Sequence, residues 1–165
     1  MTETFATIAF YTFGLLSVGG AIGMVSARRL VHSALFLVLS FLAVAAIYLV
    51  ARADFLAGVQ VLIYAGAVMI LMLFAIMLTP GQMERSGAGQ WRQRMGAGLV
   101  ALSFLVMAAF ALLGTNWPLA ATLSDQPTTL AIGELLLTSY VLPFEIASVL
   151  LLAALVGAIL IARED

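Results

Sequence analysis

The chain has 165 residues, 64% of them hydrophobic and 9% charged, with a net charge of -1 and no cysteine. Soluble domains carry about 25% charged residues, so this composition excludes an ordinary water-soluble fold. The absent cysteines exclude disulfides, thiolate zinc sites and cysteine-bound iron–sulfur clusters, one histidine cannot build a multi-histidine metal or haem site, and seven arginines against eight acids give no basic field for nucleic acid.

Crossing about 30 Å of hydrocarbon at about 1.5 Å per residue takes ~20 apolar residues. Five runs reach that length: Phe5 to Val25, Val31 to Val50, Phe55 to Leu78, Met95 to Leu113 and Leu135 to Ile161. Lipid leaves bare backbone groups unsatisfied, and the runs lack the alternation of barrel strands, so helices are expected throughout. The expected fold is all-α, a polytopic membrane bundle of five transmembrane helices forming one domain over residues 1–165.

The first run follows Glu3 with no basic residue before it, unlike a signal peptide, and is expected to be retained as a helix. Its Gly19 and Gly23 form a small-residue pair of the kind that lets helices approach. Arg28 and Arg29 follow, and His32 opens the second run, where solvation of the helix end is the better reading than proton transfer. In the third run Gln60 and Tyr64 are four apart and share a face, a polar stripe able to bond another helix or order water. The segment Tyr64-Ala65-Gly66-Ala67-Val68 then places a glycine in mid-span. On the residues alone this glycine means either close helix packing, the better bet, or a slip of the hydrogen-bond register into a π-bulge.

Between the third and fourth runs, Thr79 to Arg94 reads as a polar loop with Pro80, Gly81, Gly87 and Gly89, and Trp91 at the membrane interface. The connection from Thr115 to Thr129 carries Pro118, Asp125 and Pro127. The last run is longer than a span needs, so it should tilt, begin outside the hydrocarbon or bend; a kink at Pro143 is the expectation. Tyr140 and Glu145 lie in it, as do Ala153 and Gly157, a second small-residue pair. An acid inside a span costs a few kcal/mol and normally faces a partner, water or the bundle interior. Glu145 is therefore a candidate proton station or a structural acid. Arginines cluster after the first, third and fifth runs, which predicts an amino terminus outside and a carboxyl terminus in the cytoplasm. There is no Walker loop, G-x-G-x-x-G, Ser-His-Asp set or zinc motif, and so no catalytic constellation.

Three segments carry a resemblance: His32 to Phe36, the Val-Gln-Val-Leu-Ile-Tyr-Ala-Gly-Ala-Val core of the third run, and Tyr140 to Ser148. Together they resemble subunit J of the bacterial proton-pumping NADH:quinone oxidoreductase, respiratory complex I. The resemblance implies a subunit of the bacterial inner membrane without a cofactor of its own, next to the quinone-binding subunit and subunit K. NADH, FMN, iron–sulfur clusters and quinone would belong to the parent complex. It also implies that Tyr64, Ala65, Gly66, Ala67 and Val68 form a switch between π-bulged and regular helix, which turns the reading of Gly66 toward the bulge. Tyr140 and Glu145 would lie near subunit contacts or a water path. Some members have an acid where this chain has Gln60, and an amide cannot carry a proton at ordinary pH. A subunit of a related cation/proton antiporter or membrane-bound hydrogenase is the alternative reading.

Overall fold

The computed structural model describes residues 2–78, 90–115 and 127–163, and among these there is no strand. Pro80, Arg85, Pro118 and Asp125, which the sequence places in loops, lie outside the described residues, as do the side chains of Trp91, Arg92 and Arg94. Among the described residues, five helices are long and apolar enough to cross a membrane. The chain divides into two compact units, residues 1–79 with 125–165, and residues 80–124.

The larger unit opens with α1 (Thr2–Ser26) and α2 (Leu30–Val50). They pack as an antiparallel hairpin, with small and hydroxyl residues on the facing sides. Ser40 is buried, and its Oγ donates to the Ser17 carbonyl at 3.0 Å, while the two hydroxyls lie 3.4 Å apart. Near the turn, Ser33 Oγ donates to the Met24 carbonyl. A Cβ on Gly20 would fall 3.0 Å from the Phe36 carbonyl oxygen and Ser40 nitrogen, and one on Gly23 would fall 2.7 Å from the Phe36 ring. Gly19, by contrast, has nothing within 4 Å. The close approach therefore runs along Ser17, Gly20 and Gly23, spaced by three, rather than along the Gly19 and Gly23 pair.

A tight turn ends α2. The Ala53 N–H reaches back to the Tyr48 carbonyl at 2.8 Å and the Arg52 N–H to Leu49 at 3.0 Å, the paired bonds of a Schellman cap. The cap requires a left-handed residue, and Arg52 supplies it with φ 57.

The third span follows in three parts: α3 (Asp54–Val59), a π-helical segment (Gln60–Val68) and α4 (Met69–Leu78). Met69, at the junction of the last two parts, is buried to 1% exposure.

The last apolar run is not one kinked helix. It divides into α6 (Thr128–Leu137) and α7 (Val141–Ala162), with a break at Thr138–Tyr140. At the break the Tyr140 N–H closes on the Leu135 carbonyl at 2.8 Å. Restarting the helix at Val141 puts Pro143 third in α7, where an N–H would have no partner within the helix, so the ring costs nothing there. The 22 residues of α7 reach about 33 Å, enough to span, whereas the ten of α6 reach about 15 Å.

The second unit is described by one helix, α5 (Gln90–Gly114), whose serine and following threonine bond back to their own helix: Ser103 Oγ to Val100 and Thr115 Oγ1 to Ala111.

Candidate conformational site in the third span

The third span combines polar groups with a change of winding. Gln60, the first π-wound residue, is buried, and its Nε2 donates to the Phe41 carbonyl of α2 at 3.5 Å. Tyr64 sets its ring edge-on against the same Phe41, with centroids 5.8 Å apart and planes at 73°. The two residues paired by sequence spacing are thus brought together on one residue of α2.

The π register is explicit at the far end of the segment, where the Met69 N–H reaches the Tyr64 carbonyl five residues back. Gly66 sits inside this stretch. The position a Cβ would take lies 3.1 Å from the Val61 carbonyl oxygen, and no residue of another helix comes within 4 Å of it. The glycine thus accommodates the winding of its own helix, not close helix packing. Ala65 and Gly66 are half-buried, Ala67 and Val68 exposed and Met69 buried, so the burial pattern changes sharply where the π segment ends.

Tyr140 and Glu145 lie elsewhere. Tyr140 holds the position before α7, and Glu145 is exposed one turn into that helix, in a groove of about 370 Å³ with Leu142, Ile146 and Val149. Within the larger unit α7 contacts α6 and not the third span. His32 is exposed beside the α1–α2 turn. Among the described residues, no three His, Cys, Asp or Glu side chains come together in a group able to hold a metal ion.

A family model described as NADH-ubiquinone/plastoquinone oxidoreductase chain 6 matches residues 20–161. The chain belongs to the chain 6 family. The match takes in the end of α1 from Gly20, all of α2, the whole third span and α6 through nearly all of α7. Relatives extend over the full length. An NAD(P)H-quinone oxidoreductase chain 6 of Synechocystis is 40% identical, covering 100% of this chain and 84% of its own. A chloroplastic NAD(P)H-quinone oxidoreductase subunit 6 of Staurastrum punctulatum is 38% identical, covering 100% and 94%. An F(420)H(2) dehydrogenase subunit J of Methanosarcina mazei is 37% identical, covering 96% and 92%.

The sequence did not point to Phe41 or Thr128 as contacts of the third span. The Thr128 Oγ1 accepts from the Phe55 N–H at 3.3 Å. Phe41 is an ordinary apolar residue in an apolar run and gives no signal. Thr128 gives a weak one, as a hydroxyl next to Pro127 before an apolar stretch.

Proposed function

We propose that this chain is a membrane-arm subunit of a quinone oxidoreductase of the complex I type, carrying no redox centre, whose third span couples quinone reduction to proton translocation by changing its winding. The observation that carries this reading is the π-helical stretch Gln60–Val68 at mid-span, enclosing Gly66 and ending on buried Met69. π-bulges are frequent at functional sites. Converting one to α-helix moves the hydrogen-bond register by a residue and turns everything beyond it by about 100° relative to what precedes it.

Such a turn would exchange exposed Val68 with buried Met69 and swing Leu71, which is 69% exposed, toward a different neighbour. A dry apolar constriction blocks protons and a wetted one passes them, so a rotating ring of Val68, Met69 and Leu71 would act as a gate. The relatives support a role away from the electron input. They are named for different donors, NAD(P)H in one case and F(420)H(2) in another, at nearly equal identity to this chain. A subunit retained across donors serves a step common to their parent enzymes. NADH, FMN, iron–sulfur clusters and quinone are in this reading carried by partner chains, with the quinone-binding subunit and subunit K as neighbours in a bacterial cytoplasmic membrane. Glu145 and Tyr140 serve a water path or a subunit contact.

Gly66→Ala tests the gate. Its methyl would press on the Val61 carbonyl in the π form, which disfavours that winding relative to the regular helix. Assembled complex with this variant should show a more regular third helix and weaker proton translocation, and Gly66→Leu should show both more strongly. An assembled variant with full coupling would overturn the reading.

A further inference from the structure

The amino-terminal end of the third span is capped from elsewhere in the chain. A helix start leaves N–H groups without acceptors, and a Ser, Thr, Asp or Asn at the preceding position normally supplies one. Here that position is Ala53, which makes no side-chain cap. The acceptor for Phe55 is instead the hydroxyl of Thr128, 73 residues further on and the first residue of α6. The same half of the span is held at two further points. Ala57 is buried, and buried Gln60 bonds the Phe41 carbonyl. Beyond Met69 no residue from Ile70 to Leu78 is buried, although α4 still lies against α2.

We infer that Thr128 is a positioning residue: its hydroxyl fixes the amino-terminal half of the third span so that rewinding near Gly66 turns only the carboxyl-terminal half, Met69–Leu78. The inference rests on the coupling role proposed above and specifies which end moves. A relative rotation of about 100° can be taken up by either half. Turning the amino-terminal half would break the part-buried Phe55–Thr128 bond and the bond from buried Gln60 to Phe41, leaving the Gln60 amide without its partner inside the span. Turning the other half breaks neither bond. Thr128 therefore converts a symmetric change of winding into a one-sided rotation.

The test uses the assembled complex imaged at rest and during turnover, with the wild-type chain, Thr128→Val and Thr128→Ser. In the wild type the Phe55–Thr128 contact should persist in every state while residues 70–78 change facing. Valine keeps the shape of threonine but offers no acceptor, so Phe55 amide exchange should rise about fivefold, the loss of a typical cap. Protons moved per electron should fall at equal complex content, and serine should restore both. A wild-type third span with one winding in all states would remove the coupling role itself. Rewinding with the Phe55–Thr128 contact broken in one state would overturn this inference alone. So would Thr128→Val with faster exchange and unchanged coupling. If Thr128→Val fails to assemble, the wild-type states still decide the matter.

Discussion

Gly20 lets α1 lie directly on the backbone of Phe36: a methyl group at Gly20 would stand 3.0 Å from the Phe36 carbonyl oxygen and 3.1 Å from the Ser40 Cα. Backbone atoms cannot step aside as a flexible side chain would. Gly20→Ala should therefore destabilise the hairpin by about 1–3 kcal/mol, the usual range for overpacking. Gly19→Ala meets nothing within 4 Å and should be neutral or stabilising by up to about 1 kcal/mol through helix propensity. Thermal midpoints of the detergent-solubilised assembly, compared for the two variants, check the contrast.

The contacts on Phe41 separate packing from proton relay. Tyr64→Phe keeps the edge-on ring contact and should change stability by less than about 0.5 kcal/mol with coupling intact, whereas Tyr64→Ala should lose about 0.5–1.5 kcal/mol of aromatic contact. Gln60→Leu removes the bond to the Phe41 carbonyl and should cost about 1 kcal/mol. Proton translocation by Tyr64→Phe is the decisive measurement: its loss would make the hydroxyl a relay.

Arg52 occupies the left-handed position of the α2 cap with φ 57. A side chain there costs about 1–2 kcal/mol relative to glycine, and most for a β-branched residue. Arg52→Val should be less stable than Arg52→Gly by at least that amount. Both variants lose the guanidinium, so their difference in thermal midpoint isolates the backbone effect.

Glu145 stands four residues past the first residue of α7, beyond its first turn, and is exposed there. Glu145→Gln keeps the size and removes the charge. It should assemble at the wild-type level and lower proton translocation, measured in sealed membrane vesicles. Loss of the chain from the assembled complex would identify the carboxylate as a contact with a neighbouring subunit.

The five spans were legible because lipid tolerates so few patterns. The third run was expected from Phe55 to Leu78 and is helical from Asp54 to Leu78. What composition could not convey was the behaviour of single positions. Gly19 and Gly20 are identical as letters, and only the rotation of α1 about its axis decides which meets Phe36. Pro143 signals a disturbed helix in either reading, but whether the helix bends there or restarts two residues earlier depends on where the broken backbone bonds find acceptors. Gly66 is the sharpest case: its missing Cβ fits both a close neighbour and an altered winding, and the residues alone favoured the neighbour. The nearest atom proved to be the Val61 carbonyl of its own helix. The partner of Thr128 was not legible for a further reason, since a cap supplied across 73 residues leaves no local pattern that pairs it with Phe55.

That distance also has a meaning in time. At ~5–20 residues per second, the ribosome completes Thr128 roughly 4–15 s after Phe55. The newborn third helix therefore meets α2 before its first turn has the Thr128 hydroxyl, and gains that acceptor only when the penultimate segment arrives. A nascent chain stalled before residue 128 would already contain the π-prone stretch but not the hydroxyl that anchors one end of it.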